Sequence, residues 1–451
     1  MKNKNGINMY IDYNRSYRNR GKRRGGKSFK ILLVLFLAIG VGFGTFYMIK
    51  RQIDLENGGN VVLQEQDGGQ EQAAVTQPGQ NLNQTEDGQE TAEGQTDTVS
   101  DSQGGTTADP GEGQEEVDTR IPVRARGLYV TSRAAMEMRE DLVSVADTTE
   151  INAMVIDVKG DSGKITYKTD SAMAKEIGAV TNTIADIDTL ISTLKEKDIY
   201  IIARIVAFKD PYLAEQRHEL ALKNNDGSLY RDNNGECWVN PYNHKVWDYL
   251  VEVAAGAAAT GFDEIQFDYI RFSTGAGMSD INFGEDAKTK TKEDIIIEFT
   301  KYTYEKLKPL GVFVSADVYG TIISSSIDAG LVGQNYVEMS RYLDYICPMI
   351  YPSHFGEGNY GVEYPDLEPF KIIRKVLIAS KTKLEQIPEG EHRAIVRPWL
   401  QDFTADWVEH HMTYGGHELR EQISGVYGAG YEEWLLWDAG CTYSVDGLLE
   451  D

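Results

Sequence analysis

The stretch Gly261–Ser273, GFDEIQFDYIRFS, has the apolar positions of a buried strand, yet it carries Asp263, Glu264, Asp268 and Arg271. Charges near a core need a partner or a use, because desolvating them unpaired is costly. Outward from this segment, the chain repeats one pattern. Apolar runs occur at 126–130 (RGLYV), 153–159 (AMVIDVK), 199–208 (IYIIARIVAF) and 264–272 (EIQFDYIRF). Four more follow at 312–320 (VFVSADVYG), 345–352 (YICPMIYP), 394–400 (AIVRPWL) and 433–440 (EWLLWDAG). Helical periodicity lies between them. Ile184, Ile187, Leu190, Ile191 and Leu194 mark one helix; Ile295, Phe299 and Tyr302 mark another, with Thr291 placed to cap it. Strands that are apolar throughout and alternate with helices predict a parallel sheet covered by helices. Eight such units over residues 119–451 predict an α/β fold, a (β/α)8 TIM barrel. No G-x-G-x-x-G follows the first run and no P-loop occurs, which argues against a nucleotide-binding sheet.

Barrels keep their chemistry at the C-terminal ends of the strands. Those ends carry Asp157 and Lys159 on the second run, Arg204 on the third, and Asp268 and Arg271 on the fourth. They continue with Asp317 and Tyr319, then Tyr351 and His354, then Arg397, Trp399 and Asp402, and finally Trp437 and Asp438. Asp263 and Glu264 fall at the opposite end, where solvation is expected. Glycosidic cleavage uses two carboxyl groups, one below the anomeric carbon and one protonating the leaving oxygen. Neighbouring strands lie about 4.8 Å apart, so Asp268 and Asp317 are the expected catalytic pair. Trp238, Tyr319, Tyr351, Trp399 and Trp437 offer flat faces for sugar rings, or else pack the core and rim. An ion pair between Asp268 and Arg271 is the structural alternative for the opening segment.

Other chemistries find little footing. The seven His include no H-E-x-x-H spacing, G-x-S-x-G is absent, and Cys237, Cys347 and Cys441 form neither a zinc pattern nor a disulfide framework. No cofactor and no metal site are expected, and the cysteines are expected to be buried thiols.

The N-terminal part is of another kind. Residues 1–30 carry ten Lys/Arg and one acid, Asp12, and residues 31–49 are nineteen uncharged, mostly apolar residues. At about 1.5 Å per residue the latter reach roughly 28 Å, close to the hydrocarbon thickness of a bilayer. A single-pass signal-anchor helix is expected there. The basic flank places the N-terminus in the cytoplasm and the rest outside. Residues 50–118 read as a disordered acidic linker: 52–118 hold 16 Asp/Glu and no Lys or Arg. The formal total of −25, less +11 for 1–51 and −16 for 52–118, leaves −20 for residues 119–451. So acidic a domain is a poor partner for nucleic acid.

Several segments together, RGLYVTSRAA, MVIDVKGDSGKITY, ARIVAFKDP, VSADVYG, CPMIYPSH and RPWLQDF among them, resemble a family of bacterial TIM barrels, the "putative glycoside hydrolase domain" family, related to the alpha-amylase-like superfamily. The resemblance spans about residues 120–445. It implies a glycoside hydrolase at the cell surface acting on a polysaccharide or oligosaccharide. Alpha-amylase-like barrels have an Asp nucleophile ending strand 4, an acid/base ending strand 5 and a substrate-holding Asp after strand 7. By resemblance these roles fall on Asp268, Asp317 and Asp402. The strand-5 group is Asp here rather than Glu, and Gln266 stands where amylases carry an Arg. The alternative function is a non-catalytic carbohydrate-binding or scaffold barrel.

Overall fold

The computed structural model describes residues 118–449. The expected basic segment, the span at 31–49 and the linker, apart from Asp118, lie outside the described residues. Among the described residues no helix is long and apolar enough to cross a membrane.

The strands are β1 (Arg126–Val130), β2 (Ala153–Lys159), β3 (Tyr200–Val206), β4 (Glu264–Asp268), β5 (Phe313–Tyr319), β6 (Tyr345–Met349), β7 in two pieces (Ile395–Val396 and Trp399–Gln401) and β8 (Trp434–Trp437). Each pairs in parallel with its neighbour in chain order, and β8 also pairs with β1 through Arg126 opposite Trp434. The sheet therefore closes into an eight-stranded barrel. Every residue of β2 and β3 is buried, as expected of strands with helices outside and side chains filling the inside.

Outward residues of the strands meet the helices. The helix Lys292–Leu307 starts at a capping box, in which the Thr291 hydroxyl accepts from the Asp294 N–H and Asp294 accepts from the Thr291 N–H. Such a cap contributes about 1 kcal/mol. The buried Phe299 ring of this helix lies 5.6 Å from that of Phe267 on β4 and 4.9 Å from that of Phe208 after β3. The helix Ile187–Lys195 begins one turn later than Ile184, at an Asp186 cap.

Inside, the floor of the barrel is ionic. Glu264 on β4 and Arg397 in the break of β7 are both fully buried, with Arg397 Nη1 donating to the two Glu264 oxygens at 3.0 and 2.9 Å. Tyr200 and Ser315 donate to the same carboxylate, and Arg397 Nε donates to Glu433 at 2.8 Å. The Arg397 guanidinium lies 3.6 Å from the centre of the Tyr345 ring. Two expectations are corrected here. Glu264 is not solvated, and Arg397 does not reach the mouth. Arg397 falls in the break between the two pieces of β7, below the Trp399–Gln401 piece that leads to the mouth, and its long side chain reaches Glu264 at the floor. Its partner lies 133 residues away, out of reach of any local pattern.

The loops after β3 and β4 are tied together by a short antiparallel pair, Lys223–Asn224 with Ile281–Asn282. All three cysteines are buried and free.

Candidate active site

At the C-terminal end of the barrel the strands open into a pocket of about 470 Å³, its open mouth included. It gathers eight of the expected residues: Asp268, Asp317, Arg204, Arg271, Tyr319, Tyr351, Trp399 and Trp437. Asp161, Tyr269 and Met349 also line it and were not anticipated.

Register explains the central cluster. Arg204 on β3 is aligned with Gln266, two residues below Asp268 on β4. Its side chain therefore rises between β2 and β4. Nε and Nη2 donate to Asp268 Oδ2 at 3.0 and 2.5 Å, Nη1 donates to Asp157 Oδ1 at 2.7 Å, and Nη2 also donates to Asp161 at 3.2 Å. One guanidinium thus serves three carboxylates. The Tyr129 hydroxyl donates to Asp157 at 2.6 Å. Burial raises the Asp157 carboxyl despite the Arg204 charge. For Asp161 burial acts the same way, but Arg204 and Lys209 outweigh it and hold the carboxyl below its ordinary range.

Asp268 Oδ1 accepts from the Tyr269 N–H at 2.6 Å. Tyr269 has φ +52°, a left-handed conformation uncommon for a bulky residue, with strain of order 1–3 kcal/mol. The strand ends at this turn, and the reversal aims Tyr269 and Arg271 into the pocket. Arg271 does not pair with Asp268. Its guanidinium lies 4.7–5.1 Å from the ring centres of Tyr319, Tyr269 and Trp238.

Asp317 on β5 is buried and accepts from Trp399 Nε1 at 2.6 Å. Burial drives its carboxyl well above the ordinary value, and the negative charge of Asp268 adds to the rise; the Trp399 hydrogen bond opposes it only in part. The two expected catalytic carboxyls thus sit in opposite settings. Asp268 is held by a buried cation, while Asp317 is driven toward the protonated form.

The remaining expected residues serve around the pocket. Lys159 is fully buried and pairs with Asp210 at 2.8 Å. A Cβ at Gly163 (φ +78°) would come within 2.0 Å of Asp210, so this pair and that glycine together fix the loop carrying Asp161. Trp238 backs Arg271 and donates to Asp232. His354 is buried beside Ser353, and desolvation lowers its imidazole to about 3. Both Asp402 oxygens accept from Ser444, and burial lifts the carboxyl to about 6. Asp438 accepts from the Gly440 and Thr442 N–H groups. None of these five, nor Asp157, lines the pocket. The substrate-holding role implied for Asp402 meets a carboxylate already engaged in fixing the Ser444 loop.

Asp161 and Tyr269 were missed for local reasons. The fourth run reads as continuous strand to Phe272, which turns Tyr269 outward. Asp161 lies beyond β2 in a turn, where the D-S-G composition was the available signal.

Residues 127–443, well over half of the chain, match the family described as "Putative glycosyl hydrolase domain". The chain belongs to this family. A hypothetical protein from Ruminiclostridium thermocellum ATCC 27405 is 40% identical over 42% of this chain and 97% of its own, with a TM-score of 0.39. The PgaB (BpsB) glycoside hydrolase domain from Bordetella bronchiseptica covers 71% of this chain and 95% of its own at 11% identity and a TM-score of 0.52, a likeness of fold. Curated proteins give no match.

Proposed function

We propose that this chain is a membrane-anchored extracellular glycoside hydrolase that cleaves a cell-envelope or environmental polysaccharide. The observation that carries the reading is the pairing, at one pocket, of a carboxylate bound to Arg204 with a buried carboxyl raised by its surroundings. Asp317 donates its proton to the glycosidic oxygen as that bond breaks. Asp268 lies on the neighbouring strand and either attacks the anomeric carbon or activates water against it. Trp437 and Tyr351 offer aromatic faces to the ring. Each Asp268 oxygen accepts a hydrogen bond, an arrangement that also suits a purely structural pair; this favours the non-catalytic carbohydrate-binding barrel as the second reading.

The two readings separate with the purified chain and a glycan panel. Release of new reducing ends supports hydrolysis; binding without product over long incubation supports the binding barrel. For the acid, Asp317→Asn is expected to slow cleavage of glycosides with poor leaving groups about 10²–10⁴-fold. Aryl glycosides with strongly acidic leaving groups should be far less affected, since their departure needs no proton. Equal loss on both classes would remove Asp317 from the acid role.

The anchor is proposed from residues 31–49 alone. The full chain is expected in the membrane fraction, resistant to carbonate extraction, and a chain lacking 31–49 is expected to be released.

A further inference from the structure

The pocket holds two arginines with opposite circumstances. Arg204 is paired with three carboxylates, Asp157, Asp161 and Asp268. Arg271 is 7% exposed, lines the same pocket and, among the described residues, forms no ion pair. Among the described residues its guanidinium makes one hydrogen bond, from Nη1 to the Phe272 carbonyl. A guanidinium has five N–H donors, so most of its donor capacity is unspent. Burying a cation without an opposite charge is unfavourable unless something else supports it. Here the support is aromatic: the Trp238, Tyr269 and Tyr319 rings surround the guanidinium at 4.7–5.1 Å. Cation–π contacts of this kind hold an arginine in place without occupying its donor edge. The left-handed Tyr269 directs both a ring of this cage and Arg271 itself into the pocket. The result is a rigid, planar donor fork, the geometry that matches a carboxylate.

We propose that Arg271 binds an anionic substituent of the substrate, so that the pocket selects a glycan carrying a carboxylate, a uronic-acid type of ring, over its neutral counterpart. This rests on the reading of the pocket as a glycan site. The charge of −20 over residues 119–451 repels a densely charged polyanion, so the matching polymer carries isolated carboxylates among neutral rings. At physiological salt, that repulsion fades beyond about 8 Å, and contact inside the pocket is decided by Arg271.

The test uses the full chain with Asp268→Asn, which is expected to bind without turnover. The probes are oligosaccharides with one uronate per repeat, each paired with its carboxyl-reduced form of the same rings and linkages. At least one acidic probe is expected to bind about tenfold to a hundredfold tighter than its reduced partner, as for a charge-assisted hydrogen-bonded pair. Adding Arg271→Gln should erase the difference, and Arg271→Lys should restore part of it, with unchanged thermal unfolding as the control for the cage. Equal affinity for acidic and reduced forms, binding of neutral glycans alone, no binding of any acidic probe, or an acidic preference that survives Arg271→Gln would each overturn the proposal. The hydrolase reading fails separately. If the wild-type chain binds acidic probes but never cleaves them, recognition stands without catalysis. If it cleaves neutral glycans and Arg271→Gln leaves this unchanged, catalysis stands without the recognition.

Discussion

Asp268→Asn is expected to cut glycan turnover about 10⁴-fold or more, the scale seen when a nucleophile or its equivalent is removed from a preorganised site. The substitution keeps the shape of the side chain, and its oxygen can still accept from the Tyr269 N–H that now meets Asp268. What it removes is the negative charge that the proposed mechanism sets against the anomeric carbon. Arg204 keeps Asp157 and Asp161 as partners, so the barrel top is expected to hold together and the loss to appear in kcat. Steady-state kinetics beside a circular dichroism melt separates the two. Unchanged turnover in a folded variant would take Asp268 out of the chemistry.

The second large effect is on stability. Arg397→Met is expected to lower the unfolding free energy by about 3–5 kcal/mol, measured by chemical denaturation. The replacement fills much of the same volume but leaves Glu264 and Glu433 facing one another in the floor of the barrel. Burial already raises the Glu433 carboxyl, with the Arg397 charge opposing the rise; without that charge it rises further. Adding Glu264→Gln should recover part of the loss, because a neutral amide can still accept from Tyr200. A loss below about 1 kcal/mol in the single variant would mean that the buried network contributes little.

Most of the barrel was legible from the sequence because its strands are short apolar runs with polar punctuation. β1 and β2 begin and end where their runs do, and the Thr291 cap stands where a helix was expected. The placement of Asp268, Asp317, Trp399 and Trp437 at one mouth follows from strand order alone, since parallel strands in a closed barrel end on the same side. Pairing was not legible. The Arg204–Asp268 contact depends on the β3–β4 register, and the Glu264–Arg397 contact on the break in β7. The cage around Arg271 depends on a single left-handed residue, Tyr269, and no periodicity encodes a reversal of that kind.

Asp317 is expected to hold a proton at the pocket because it is buried beside the negative charge of Asp268. Carbon-13 NMR of aspartate-labelled protein, with the Asp317 carboxyl identified by its disappearance in Asp317→Asn, measures that proton without any knowledge of the substrate. Asp317 is expected to remain protonated well above the ordinary carboxylate range in the wild-type chain, and Asp268→Asn is expected to move its titration to lower pH by removing the neighbouring charge. An Asp317 that titrates as an ordinary carboxylate, or one that is indifferent to Asp268→Asn, would contradict it.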